Sequence, residues 1–142
     1  MTALSTFESR TAKLNGSSGD VFDFVSDLRN LGQFIPPGSV NGLVLERESC
    51  RFNISMLGDV NIRVSEKEKP DKIVLSGLVP QVDGFSLWMD IKSNGDNSSE
   101  ARLILRAGIN AFLKPVIAEQ IKRLLESLVN EMERFRDWKK TI

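Results

Sequence analysis

The segment PVIAEQIKRLLESLVNEMERF, Pro115–Phe135, decides how the rest of the chain is read. Ile117, Ile121, Leu124, Leu125, Leu128, Met132 and Phe135 recur at three- and four-residue spacing, which places them on one stripe of an α-helix. Lys122, Arg123, Glu126, Glu133 and Arg134 fall mostly off that stripe. Asn110 is placed to cap the start, and Pro115 is tolerated in a first turn, where its missing N–H has no helical partner to lose. A helix over 111–138 would be about 42 Å long at 1.5 Å per residue. Its apolar face needs an apolar surface of similar length, and the segments before it supply one.

Upstream the hydrophobic period drops to two. Cys50, Phe52, Ile54 and Met56 alternate with Ser49, Arg51, Asn53 and Ser55, and Val60, Ile62 and Val64 alternate with Asn61, Arg63 and Ser65. The same holds for Phe85, Leu87, Met89 and Ile91, and for Leu103, Leu105 and Ala107. Each such strand has one face for a core and one for water. Turn signals at Gly58-Asp59, Pro70-Asp71, Asp83-Gly84 and Asn94-Gly95 divide these segments as in an antiparallel meander. Lys72–Pro80 reads as a strand with no assignable inward face. A first strand within Thr6–Leu14 and a short one at Leu43–Leu45 bring the expected count to seven. Seven strands at about 4.8 Å spacing make a sheet roughly 30 Å across, which one long helix can cross.

Between the first two strands, NGSSGD (Asn15–Asp20) is a turn with Ser17 or Ser18 as N-cap. It lacks the spacing and the lysine of a phosphate-binding loop. Val21, Phe22, Phe24, Val25 and Leu28 then mark a short helix. Leu31, Phe34 and Ile35 carry a second helical turn that must end before Pro36-Pro37-Gly38. No boundary or repeat interrupts residues 1–142, which read as one α+β domain.

Composition removes many functions. The chain has no His and no Tyr, and Cys50 is its only cysteine. Imidazole bases, Ser-His-Asp and Cys-His nucleophiles, zinc sites and iron–sulfur ligation are therefore excluded, and no metal or cofactor is expected. Lys plus Arg and Asp plus Glu are each 19, so the formal net charge is zero and no basic excess points to nucleic acid. No disulfide can form within the chain, no signal sequence is read at the N-terminus, and no run approaches a membrane span. A cytoplasmic location without membrane insertion is the expectation, and the sequons at Asn15, Asn53 and Asn97 are then chance matches.

The order is strand, two short helices, six strands, long helix. VFDFVSDLRNLGQFIP (Val21–Pro36) supplies a helix pair ending at proline, and INAFLKPVIAEQIKRLLESLV (Ile109–Val129) supplies the entry into the long helix. Nearly the whole chain thus resembles the helix-grip fold of the START-like, or SRPBCC, superfamily, which includes birch-pollen-allergen-like and polyketide cyclase/dehydrase-type proteins. The resemblance implies an elongated cavity between sheet and helix, used for lipids, polyketides, sterols or other apolar molecules.

On the residues, the candidates to line that cavity are Phe52, Ile54, Leu87, Met89, Leu103, Leu105, Ile117, Ile121 and Leu124. A packed core would show the same alternation, so periodicity leaves both open. The function expected is a binding or carrier module for a small hydrophobic ligand of lipid, polyketide or isoprenoid type. A cyclase- or hydrolase-type enzyme on a similar molecule is one alternative, but no Asp, Glu or Lys falls on an apolar strand face. A protein-interaction module with a filled core is the other, its partner meeting the outer face at Trp88. Cys50 opens an apolar alternation and reads as a small buried hydrophobe. Ser9, Thr11 and Lys13 are the polar groups that an inward first strand would offer a ligand. Trp138 is expected at a frayed helix end.

Overall fold

The computed structural model describes residues 3–35, 38–55 and 58–139. Its elements are β1 (Ala3–Glu8), β2 (Ala12–Leu14), α1 (Ser18–Ser26), a 3-10 helix (Leu28–Gln33), β3 (Asn41–Leu45), β4 (Ser49–Ile54), β5 (Gly58–Glu68), β6 (Lys72–Val79), β7 (Val82–Ser93), β8 (Ser99–Ile109) and α2 (Lys114–Arg134). The strands form one open antiparallel sheet in the order β1-β8-β7-β6-β5-β4-β3, with β2 also paired to β8. The α+β helix-grip architecture stands as expected, with α2 on the sheet.

Eight strands replace the expected seven because the first is two. Beyond Glu8 the chain is pinned at Ser9, whose N–H donates to the Leu103 carbonyl at 2.8 Å. The Ser9 hydroxyl accepts from the Leu103 N–H at 2.9 Å, taking a place that a ladder carbonyl would fill. Pairing resumes at Ala12, and Ala12 and Leu14 are the buried residues of β2. Thr11 and Lys13 are exposed and Ser9 is engaged with Leu103, so these three do not form an inward polar row.

Registry builds the inner face of the sheet. Val64, Leu75, Leu87, Leu105 and Phe7 lie opposite one another across five strands, and Ile73, Met89 and Leu103 form the next row. This gives β6 the inward face that its sequence left open. Two turns lie elsewhere than expected. The β6–β7 hairpin closes at Pro80-Gln81, with Gln81 at φ 64°, and Asp83-Gly84 falls inside β7 at a shift of register, where Gly84 takes φ 63°. Gly58-Asp59 opens β5 rather than preceding it. The Met56 end of one alternation and the Pro36-Pro37 stop lie outside the described residues.

Ser17 caps α1 by accepting from the Asp20 N–H, and α1 buries Val21, Phe22, Phe24 and Val25. Asn30 is buried, and its side-chain N–H donates to the Phe24 carbonyl at 2.8 Å, fixing the 3-10 helix against the end of α1. Asn110 works a turn before α2: its side-chain oxygen accepts from the Phe112 N–H and its carbonyl from the Lys114 N–H. α2 spans Lys114–Arg134 rather than 111–138, about 32 Å. It packs on β2, β8 and β1, while α1 covers β7, β6 and β8 and the 3-10 helix meets β3 and β4. The helical segments share the sheet between them, so α2 does not cross it alone.

Candidate functional site

Where α1, the 3-10 helix, α2 and the middle of the sheet meet, a void of about 60 Å³ remains. Val25, Leu28, Leu31 and Phe34 wall it on one side, Leu128 and Met132 of α2 on another, and Ile73, Leu75, Leu87, Met89 and Leu103 form the sheet wall. None of these side chains carries a charge or a strong hydrogen-bonding group. These walls offer a water nothing to bond, and apolar cavities stay dry. Pockets that enclose drug-sized ligands run to roughly 300–1,000 Å³. The walls must therefore move for such a ligand to enter.

Of the nine residues expected to line a cavity, Leu87, Met89 and Leu103 are brought together at the void. Leu105, 1% exposed, lies opposite Leu87 and Phe7 in the row that includes Leu75, but it does not itself line the void. Ile117 is buried and Ile121 half-buried against the same core, away from the void. Phe52 and Ile54 are half-buried on β4. Leu124 is 43% exposed, while Leu125 is buried. Successive helical residues are about 100° apart, and the buried arc runs through Leu125, Val129 and Met132, which leaves Leu124 on its rim. Of the eight lining residues that were missed, Ile73 and Leu75 lie on β6 and Leu128 and Met132 on α2, and the other four come from α1, the 3-10 helix and its cap. Their apolar spacing was legible, but their position over β6 and β7 depends on tertiary packing.

Behind the void sits an aromatic cluster. The Phe34 ring lies 6.0 Å from Phe24, 5.4 Å from Phe135 and 5.6 Å from Trp138, centroid to centroid. Trp138 in turn stands 5.4 Å from Phe24 and 4.9 Å from Phe135. Trp138 lies past the end of α2 yet is only 3% exposed. Its indole rests on Gly16, where an added Cβ would stand 2.7 Å from Cδ1. The residue expected at a frayed helix end is thus buried outside the helix.

The remaining groups are quiet. Cys50 is buried, and burial pushes its thiol up to about 11, so it stays protonated at neutral pH. Trp88 on the outer face is half-buried beneath Lys72 and Arg106, 4.9 and 5.1 Å from its ring, and its N–H donates to the Ser86 hydroxyl. A larger hollow of about 550 Å³ lies at the surface, and Asp20, Arg136, Asp137 and Lys139 give it mixed charge. Among the described residues no cluster of carboxylates or thiols could hold a metal ion, and no helix is long and apolar enough to cross a membrane.

No family model and no curated protein matches the sequence. Solved structures do match along almost the whole chain. Norcoclaurine synthase from Thalictrum flavum superposes with a TM-score of 0.74 at 9% identity, covering 94% of this chain and 93% of that one. A START superfamily protein from Mycobacterium smegmatis gives 0.66 at 14% identity, covering 91% and 97%. The chain has the START-like fold. An aromatase/cyclase from a Streptomyces species gives 0.70 at 14% identity, covering 93% and 95%. At these identities what is shared with the START-like structures is the backbone.

Proposed function

We propose that this START-like domain binds a small hydrophobic molecule between the inner face of its sheet and α2, as a binding or carrier module. The observation that carries the proposal is the void: eleven apolar side chains from sheet and helices leave about 60 Å³ unfilled at the centre of the domain. A core built only for stability gains by closing such a gap, since cavities lower stability in proportion to their volume. The wholly apolar wall suits a hydrocarbon surface of lipid, polyketide or isoprenoid type. It also favours binding over catalysis, because none of the lining residues has a group that titrates or attacks. The likeness to a norcoclaurine synthase solved with dopamine and hydroxybenzaldehyde, and to an aromatase/cyclase, supports a fold suited to enclosing small molecules.

The small size of the void favours a second reading, a protein-interaction module whose interior is filled. Mass spectrometry of the protein extracted with organic solvent after native purification separates the two. A stoichiometric apolar molecule is expected from a carrier. A bare chain that also fails to take up N-phenylnaphthylamine, an uncharged fluorescent probe, would leave the interaction module.

A further inference from the structure

The void is too small for a ligand of ordinary size, so one of its walls must open. The sheet wall belongs to β6, β7 and β8, each paired on both sides. α1 and the 3-10 helix are tied by the Ser17 cap and by the Asn30 bond to the Phe24 carbonyl. Phe34 is held differently: its outer side is backed by Phe135 and Trp138, which follow α2. Arg136–Lys139 lie past the end of α2 and belong to no helix or strand. Among the described residues, the buried indole N–H of Trp138 has no acceptor. A buried donor left unpaired gives up its bonds to water for nothing, which weakens its own seat. Ring packing and the bare Cα of Gly16 are what keep Trp138 in place.

We propose that the segment Phe135–Trp138 is a displaceable plug, and that an apolar ligand enters when Trp138 withdraws from Gly16 and Phe34 loses its backing. This route rests on the ligand-binding reading above. Withdrawal frees the space of the indole and lets the Phe34 ring turn out of the void wall. Withdrawal of Trp138 leaves the Phe135 N–H on the Glu131 and Met132 carbonyls at the end of α2, and it exposes a donor that water can satisfy. The sheet wall keeps its shape, so the pocket enlarges only at the end where α1, the 3-10 helix and α2 converge.

Two measurements test the plug. Hydrogen exchange of the Trp138 indole N–H, assigned with Trp88→Phe, reports opening in the wild-type protein without any ligand. Exchange is expected at least about a hundredfold faster than at the Leu103 and Leu105 amides, and it should quicken further on saturation with N-phenylnaphthylamine, which holds the indole out of its seat. Exchange no faster than at those core amides would mean that Trp138 leaves only on global unfolding, and the plug would be overturned. In stopped flow, Trp138→Ala should take up the probe at least about tenfold faster than wild type. Gly16→Ala, which forces the ring from its seat without removing it, should do the same and serves if Trp138→Ala does not fold. Unchanged uptake in a folded variant would overturn the plug alone. Absence of probe binding in every variant would overturn the ligand reading and this route with it.

Discussion

Glu133 near the end of α2 accepts a hydrogen bond of 2.7 Å from Arg10, 123 residues earlier, across the break between β1 and β2. Its second oxygen accepts from the Lys13 N–H at 2.9 Å, while Arg10 also donates to Asn130 at 2.7 Å. The C-terminal half of α2 is thereby tied to the edge of the sheet, and the Leu128 and Met132 wall of the void with it.

That contact predicts an acid limb in the stability curve. The Arg10 guanidinium first, and the Lys13 N–H second, hold the Glu133 carboxyl down to about 2. A carboxylate depressed below its unfolded value, about 4.3, adds stability above that value and loses it as pH falls toward the folded one. The melting temperature should therefore decline between about pH 4.5 and 2. Glu133→Gln should lower the plateau at pH 7 and flatten the decline. Solvent around Arg10 keeps the effect modest. Parallel curves for the two proteins would show that this contact does not govern the acid limb.

Gly77 on β6 lies opposite Ile62 of β5. A Cβ there would stand 2.2 Å from the Asn61 carbonyl oxygen, a backbone atom that cannot swing aside. Gly77→Ala should cost at least the roughly 1–3 kcal/mol typical of overpacking, read as a lower denaturant midpoint. Gly19 in α1 has nothing within 4 Å of the same position, so Gly19→Ala should be neutral or mildly stabilising. Equal effects at the two sites would refute the close approach.

Leu124 and Leu125 are chain neighbours with opposite surroundings. Leu125→Ala should cost about 2–5 kcal/mol, the range for a buried leucine. Leu124→Ala should stay within about 1 kcal/mol, since much of that side chain already meets water. Comparable losses would mean that the α2 stripe faces the sheet as its sequence spacing alone suggests.

Cys50 should behave as a core residue. With its thiol buried and held protonated, labelling by a maleimide at neutral pH should be slow in the native protein and rapid in denaturant. Fast native labelling would show that β4 opens readily.

The class of fold was legible because two periods and one stripe are local properties. Val64, Leu87 and Leu105 could be placed on one face of their strands from alternation, whereas Leu75 was placed only by the pairing of β6 with β5 and β7. The break at Ser9 was not legible, because it depends on a hydroxyl meeting the Leu103 N–H across the chain. The length of α2 was overread because Phe135 and Trp138 continue the apolar content past Arg134, yet they serve the cluster around Phe34. Three of the nine expected cavity residues line the void, and the split follows the same division. Leu87, Met89 and Leu103 sit on central strands whose inner face the helices must cover. Leu105 shares β8 with Leu103 and differs in what lies above it, while Leu124 sits on the rim of the buried arc of α2, and strand or helix periodicity contains neither distinction.

Met89 and Met132 face the void from the sheet and from α2, so their methyl groups report its contents directly. In protein labelled at the methionine methyl carbons, titration with N-phenylnaphthylamine should shift both signals together. The midpoint should match the fluorescence of the bound probe, and Leu103→Phe should abolish the shift by filling the space. Saturating fluorescence with both methyl signals unmoved would place the probe elsewhere and contradict a ligand site between sheet and helix.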